Sequence, residues 1–324
     1  MLTSVRFKNF RILRDTTLPL TRSTLILGPN SSGKSTALQG LKLLCTDGAS
    51  VGRRDLSADS KNDENAATEI VATFEDPARP PVLLRSGERQ PRRQIGTPEQ
   101  ISPRPILRLF SLDPAALATP VSLQPHPELA ENGANLAAVL THLQDRFPEQ
   151  FDALNDELRR WLPQFDRILF DTPAPNQRQF MLRHARDRHI LPASALSHGI
   201  LLALAILTIA YNPSPPDILC LEEPDRGIHP RLLRNVYDAI QRLAFPEAVG
   251  DTRKPTQVIC TTHSPYLLDF YRDHPEDVVL SELTPDGAIF KRLSDLPHFA
   301  DIIDNASLGD AWYSGILGGV PAAS

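Results

Sequence analysis

Gly28-Pro29-Asn30-Ser31-Ser32-Gly33-Lys34-Ser35-Thr36 is the stretch whose reading decides the fold. It fits G-x-x-x-x-G-K-[ST], a spacing that cradles phosphate groups. The apolar run Thr24-Leu25-Ile26-Leu27 before it reads as a buried strand, and the segment from Thr36 to Leu44 places Ala37, Leu38, Leu41 and Leu44 on one helix face. Strand, glycine loop and helix are the context this chemistry needs. Gly28 and Gly33 let the backbone curl so that its N–H groups point inward at phosphate oxygens. The helix N-terminus adds partial positive charge there. Lys34 would reach the β- and γ-phosphates of a nucleotide, and Ser35 would hold Mg²⁺. A glycine-rich turn with no ligand is the alternative; the flanking strand and helix weigh against it.

Two more apolar strands end in polar groups. Asp217-Ile218-Leu219-Cys220-Leu221-Glu222-Glu223-Pro224 ends in two acids. Carboxylates at the end of a buried strand are costly unless a cation or water meets them. In phosphate-loop enzymes a strand of this kind lies beside the phosphate loop and presents its acids to Mg²⁺ and an attacking water, and the same is expected here. Gln257-Val258-Ile259-Cys260-Thr261-Thr262-His263-Ser264-Pro265 ends at a histidine, read as functional because of that position. Between phosphate loop and acidic strand, Ala195-Leu196-Ser197-His198-Gly199 opens the most apolar helix of the chain, with Ser197 as a plausible N-cap. Asn212-Pro213-Ser214-Pro215-Pro216 stops that helix.

The remaining chain supplies scaffold and two basic runs. Residues 2 to 20 read as two or three short strands, with Lys8 and Arg11 in a turn between them. Asp47 to Thr68 reads as a polar surface loop. Ile70 to Phe74, Val82 to Leu84 and Ile106 to Leu112 read as strands. Arg85, Arg89, Arg92 and Arg93 could meet a phosphate backbone, but without interleaved aromatics a solvated hairpin tip is favoured. Prolines from Pro114 to Pro127 mark a boundary, and Glu128 to Leu162 reads as two or three helices. Strand character resumes at Arg167 to Phe170 and Gln179 to Arg183. Arg183, Arg186 and Arg188 with His184 and His189 form the second basic run, a weak candidate for nucleic acid or a partner. Leu308 to Gly315 and the following Gly318-Gly319-Val320-Pro321 suggest only packing.

At 324 residues the chain could form one large domain or two, and its 41% hydrophobic content suffices for a substantial core. A net charge of −5 excludes general attraction to nucleic acid or anionic membrane, though not a local patch. The longest apolar run, Ile200 to Ala210, falls short of the roughly 20 residues a spanning helix needs. No signal-peptide pattern opens the sequence, so a cytoplasmic location is expected. Cys45, Cys220 and Cys260 lack metal-ligand spacing and read as buried thiols in a reducing compartment.

Together these segments resemble the ATP-binding-cassette (ABC) type ATPase heads of the RecF, SMC and OLD kind, along nearly the whole chain. They look most like the standalone prokaryotic "AAA family ATPases" grouped with those heads. Gly28–Thr36 matches the Walker A loop, Leu196-Ser197-His198-Gly199 the LSGG or LSDG signature, Ile218–Glu223 Walker B, and His263 the switch histidine. Glu222 to Pro230 looks like the EEPENGIHP run of that group, with Glu222 where most ABC proteins carry Asp. Asn9-Phe10-Arg11 matches the NFR that opens SMC-type heads, where basic residues approach the nucleotide. The bridging Gln has four candidates, Gln90, Gln94, Gln100 and Gln124. The order of motifs is more specific than any one of them.

The resemblance implies an α/β fold: a P-loop NTPase of ABC-ATPase type, with a mixed central sheet flanked by helices and a helical signature lobe. Residues 1–112 and 213–324 would form the ATPase core and 113–212 the signature lobe. It also implies an ATPase, with ATP and Mg²⁺ as ligands, that works as an ATP-dependent homodimer or larger oligomer. Gly28, Asn30, Ser31, Ser32, Gly33, Lys34, Ser35 and Thr36, with Arg11, would bind the nucleotide, and Ser197 and Gly199 the γ-phosphate held by the partner subunit. Ser35 and Glu222 would hold the metal, and Lys34, Glu223 and His263 would act in hydrolysis. Relatives of this type serve DNA repair or anti-phage defence, so DNA and a separate effector such as a nuclease are expected partners, and no membrane. Too little sequence follows His263 for a Toprim nuclease domain. Two rival readings remain. One is the nucleotide-binding subunit of a membrane transporter, disfavoured by His198, by Ile200 in place of Gln and by Glu-Pro-Asp-Arg-Gly after the acidic strand. The other is a nucleotide-gated scaffold or DNA-binding module with negligible turnover.

Overall fold

The alternating residues of the N-terminus form two paired strands in the computed structural model, which describes residues 1–46, 55–58, 67–86, 92–94, 105–297, 299, 302 and 306–318. In chain order, β1 (Leu2–Phe10) and β2 (Leu13–Pro19) are followed by β3 (Ser23–Leu27), every residue of which is buried. α1 (Lys34–Cys45) buries Ala37, Leu38, Leu41 and Leu44, the face its apolar spacing dictates. Next come β4 (Thr68–Phe74), β5 (Val82–Ser86), β6 (Arg92–Gln94) and β7 (Leu107–Phe110). A short α2 (Pro114–Leu117) has Asp113 as its cap, and β8 (Val121–Ser122) follows it. α3 (Leu136–Arg146) and α4 (Pro148–Trp161) meet at Pro148, which suits a first helical turn. β9 (Phe165–Asp171), β10 (Gln177–His184) and β11 (Ile190–Pro192) precede α5 (His198–Ala210). The chain then runs through β12 (Ile218–Glu222), α6 (Leu233–Ala244), β13 (Gln257–Thr262), α7 (Pro265–Leu268), β14 (Val278–Thr284) and β15 (Gly287–Arg292) to α8 (Leu308–Tyr313).

These elements divide into two compact units. The first comprises 1–109, 216–220 and 257–324. The second comprises 110–215 and 221–256, so residues 221–256, expected with the core, group instead with residues 110–215.

The first unit holds two sheets. One is antiparallel, in the order β2-β1-β4-β5-β6. The other runs β15-β14-β3-β13-β12-β7; β3 is parallel to both β13 and β14, and β15 is antiparallel to β14, so this sheet is mixed. Its buried strands read as continuous apolar runs because both faces are covered. Phe7, Phe10, Leu38, Leu41, Ile26, Ile259 and Val279 share one core cluster spanning the first sheet, α1 and the second sheet. Buried Gln257 accepts from Leu2 N (2.9 Å) and donates to Leu2 O (2.7 Å) and Thr21 O (2.8 Å), tying the start of β13 to the N-terminus. One expectation needs correcting. The acidic strand β12 is not the neighbour of β3; β13, which ends before His263, lies between them. An apolar pattern marks a strand as buried but carries no lateral address, so sequence alone could not order these two.

The second unit packs α3, α4, α5 and α6 with a small antiparallel sheet in which β10 pairs β9, β11 and β8. α5 is buried continuously from Leu201 to Ala210, as its all-round apolar sequence requires. Buried Asn155 in α4 accepts from Ile168 N of β9 (2.9 Å) and donates to Phe151 O (2.9 Å). The second basic run is largely engaged within this unit. Arg183 forms a two-bond pair with Asp166 (2.8 and 3.1 Å), Arg188 joins the same carboxylate, and His184 Nδ1 lies 2.9 Å from Asp187. Neighbouring Arg183 holds the Asp166 carboxyl below its ordinary range. In the first run, Arg85 pairs with Glu69 (3.1 Å) on the β4–β5 hairpin, while residues 87–91 and most of Asp47–Thr68 lie outside the described residues. No described helix is long and apolar enough to cross a membrane.

Candidate nucleotide site

The loop between β3 and α1 has the shape its sequence implies. Gly28 N donates to Thr262 O (3.3 Å) and Ser32 O accepts from the Ser281 hydroxyl (2.7 Å), so β13 and β14 brace the loop from both sides. Ser31 takes φ 63° and Gly33 takes φ 106°. At Gly33 the left-handed backbone alone favours glycine, and a Cβ would lie 2.8 Å from the Ala288 Cβ. A Cβ at Gly28 would come within 2.5 Å of Ser281 O. Gly33 caps α1 without a side chain, and no acidic residue occupies the first turn. Such a helix N-terminus, with no capping side chain and no acidic residue, suits an external anion.

Lys34 is buried, and its ammonium donates to Gly28 O (2.6 Å) and Pro29 O (2.8 Å), folding the side chain back across the loop. Ser32 Oγ is buried and has no hydrogen-bond partner among the described residues. A buried hydroxyl left unsatisfied is unfavourable, and a phosphate oxygen would relieve it. Asn30, Ser31 and Ser35 are exposed around the same loop, with Thr36 half-buried. The residues therefore fit a nucleotide phosphate.

Arg11 lies in the turn after β1, at φ 51°. Its guanidinium bonds Asp55 Oδ1 (3.1 and 2.9 Å) and stands over the Phe10 ring (5.2 Å). The next two residues, Ile12 and Leu13, line Gly33, so this turn borders the phosphate loop. His263 is exposed just past the end of β13.

In the second unit Glu222 ends β12, and its Oε1 is buried without a hydrogen-bond partner among the described residues. Glu223 takes φ 46°, a strained setting for a residue with a side chain. No cluster of three or more His, Cys, Asp or Glu among the described residues could hold a metal by itself. Mg²⁺ is usually bound by one or two carboxylates together with substrate phosphates and water. Glu222 in the second unit and Ser35 in the first each carry an oxygen of a kind such an ion takes.

Ser197 occupies the N-cap position of α5, but its hydroxyl makes no capping bond and the residue is exposed. The capping role expected from sequence is therefore not filled. Gly199 packs against the turn after Glu223: a Cβ there would sit 2.7 Å from Gly227 O. The other end of α5 is clamped by Arg253, which donates to Ala210 O (2.8 Å) and Asn212 O (2.9 Å) while bonding Asp251. Arg253 beside it brings the Asp251 carboxyl down to about 2. Sequence reading missed this clamp, as it missed Ser281 and Asp55, because none belongs to a spaced motif, whereas Gly227 lies within the Glu222 to Pro230 run. Of the bridging-Gln candidates, Gln124 is exposed, Gln90 and Gln100 lie outside the described residues, and the Gln94 side chain is likewise not described.

A family model described as "AAA domain, putative AbiEii toxin, Type IV TA system" matches residues 103–269, just over half of the chain. The chain belongs to this family. A second model, described as "AAA ATPase domain", matches residues 1–80. The AAA chain is 25% identical over 333 aligned positions to an OLD nuclease of Thermus scotoductus (strain ATCC 700910 / SA-01), an alignment that takes in 84% of this chain. The AAA chain spans 60% of that nuclease's length. Its fold matches an SMC head solved bound to the C-winged helix domain of ScpA, with a TM-score of 0.59 at 16% identity over 90% of this chain and 96% of that one. The AAA chain thus shares the α/β fold of the SMC head, and both family models that match it describe AAA domains.

Proposed function

We propose that this head binds Mg-ATP at Gly28–Thr36, hydrolyses it to ADP and phosphate, and uses the cycle to dimerise and drive an effector in DNA repair or anti-phage defence. The observation that carries the reading is the braced loop, with Gly33 in a left-handed turn, Lys34 drawn over it and the Ser32 hydroxyl buried without a partner. Lys34 would leave the Gly28 and Pro29 carbonyls for the β- and γ-phosphate oxygens. Ser35 and Glu222 would hold Mg²⁺, which offsets charge on the transferring phosphoryl group when bound. Glu223 would orient or deprotonate the attacking water, and His263 would contact the γ-phosphate. The uncapped N-terminus of α5, with Ser197 and Gly199, would receive the γ-phosphate of a partner subunit's nucleotide. ATP then acts as a removable link between subunits: binding closes the dimer and hydrolysis opens it. Arg11 would support the nucleotide from the edge of the loop. An effector with nuclease chemistry is suggested by the OLD nuclease relative.

Calorimetric titration with a non-hydrolysable ATP analogue and Mg²⁺ tests the site. Wild type should bind with an affinity that Lys34→Ala lowers at least about tenfold, the loss of one charged phosphate contact. Equal affinities would remove the loop from the account.

A further inference from the structure

The segment 306–318 holds the residues that follow His263. α8 starts after Ser307, whose side chain accepts from Asp310 N (3.0 Å). Gly309 N donates to Asp269 Oδ1 (2.7 Å). No larger residue fits there, because a Cβ at 309 would lie 2.8 Å from Asp269 Oδ2 and 2.9 Å from Pro265 O. Farther along, Trp312 Nε1 donates to the His263 carbonyl itself, at 3.4 Å. Leu308, Ala311 and Leu317 are buried and seat the segment. On its other side, His263 is joined to fully buried β13, and Ser264 N donates to Thr262 Oγ1 (3.0 Å). The backbone at His263 is thus fixed from both directions while the residue itself is exposed. A side chain that must meet a reacting group in one geometry needs such a support, since misplacement by about 1 Å can cost on the order of 100-fold in rate.

We infer that residues 306–318 form a latch, with Asp269 as its catch, and that Gly309, Trp312 and Asp269 are positioning residues that act through His263. The latch rests on the reading above, in which His263 contacts the γ-phosphate. It makes the C-terminal segment a part of the ATPase cycle: whatever displaces α8 slows turnover without touching the nucleotide.

The test uses the full chain carrying Gly309→Val, which cannot fit against Asp269 and Pro265, and the milder Trp312→Phe, which keeps an aromatic side chain but removes the indole N–H together with its five-membered ring. Each is made in wild-type and His263→Ala backgrounds. Steady-state phosphate release gives kcat and KM, and the non-hydrolysable analogue gives Kd. We expect kcat to fall about tenfold in Gly309→Val and about threefold in Trp312→Phe, within the range that loss of one positioned catalytic group produces. Kd should stay within about twofold, since neither residue belongs to the phosphate loop. In the His263→Ala background neither substitution should lower kcat further, because residues acting through one group are not additive. Unchanged kcat, or an equal fall in both backgrounds, overturns the latch while leaving the ATPase reading intact. Should Gly309→Val fail to fold, Trp312→Phe decides the matter by the same comparison. A wild-type chain that neither binds nor hydrolyses Mg-ATP overturns the functional reading, and the latch falls with it.

Discussion

Replacing Arg253 with Ala removes the clamp at the end of α5 that lies opposite Ser197 and Gly199. The side chain donates to Ala210 O at 2.8 Å and Asn212 O at 2.9 Å, two of the carbonyls a helix C-terminus leaves without partners. It also forms a two-pronged pair with Asp251, including a 2.7 Å bond from Nη2 to Oδ2, and is itself only 19% exposed. Hydrogen bonds to charged groups contribute about 1.5–3 kcal/mol each. Asn212 is half-buried, so water can replace part of its loss, and Asp251 keeps Arg242 at 3.2 Å. The net cost is therefore about 3 kcal/mol, toward the lower end for breaking a buried pair. The depressed Asp251 carboxyl leads to a similar figure. Asp251 is lowered from 3.8 to about 2, chiefly by hydrogen bonding to Arg253. At 1.36 kcal/mol per unit this pairing contributes about 2 kcal/mol. A depressed carboxyl stabilises the fold above its unfolded value and loses that stability as pH falls through the folded one. The contribution is therefore full above pH 3.8 and gone below about pH 2. The chain has 2 tryptophans, and Trp161 belongs to the second unit. Urea unfolding followed by fluorescence in a Trp312→Phe background thus reports on that unit alone. Arg253→Ala should cost about 3 kcal/mol at pH 7, and its deficit should shrink between pH 4 and pH 2. A cost below about 1 kcal/mol, or a deficit that does not change with pH, would refute the clamp.

Other substitutions probe the first unit. Gln257→Leu should destabilise by about 2–4 kcal/mol in thermal unfolding, because it leaves the N–H and C=O of Leu2 and the carbonyl of Thr21 without their partner. Gly33→Ala should cost about 2–3 kcal/mol and abolish nucleotide binding by titration, since it strains a φ of 106° and drives a methyl against Ala288. Stable, binding-competent Gly33→Ala protein would show that the loop does not need its left-handed turn.

How much of this was legible in the sequence depended on whether the cause was local. The helix face at Ala37, Leu38, Leu41 and Leu44 follows from spacing alone, and α1 buries those residues. The apolar runs at Ser23–Leu27, Ile218–Glu222 and Gln257–Thr262 likewise became strands because their composition suits burial on both faces. Lateral order was not legible: β13 intervenes between β3 and β12 through packing that no local pattern encodes. The same holds for long-range pairs. Arg183 and Arg188 looked like a free basic run until the β9–β10 pairing brought Asp166 alongside them. Arg11 meets Asp55, and Gly309 meets Asp269, across gaps of 44 and 40 residues. The N-cap preference of serine pointed to a bond at Ser197 that the structure does not make. Nothing in the tail sequence indicated that Trp312 would reach the His263 carbonyl.

The central claim is that ATP closes two copies of this head and that Glu223 lets them reopen. Light-scattering mass with and without Mg-ATP, on wild type and Glu223→Gln, with phosphate release from the same samples, tests it most directly. The account predicts phosphate release by wild type, release lowered at least about 100-fold in Glu223→Gln, and a doubled mass for Glu223→Gln only when Mg-ATP is present. Equal phosphate release by the two proteins, or a mass that does not respond to Mg-ATP in either, would contradict it.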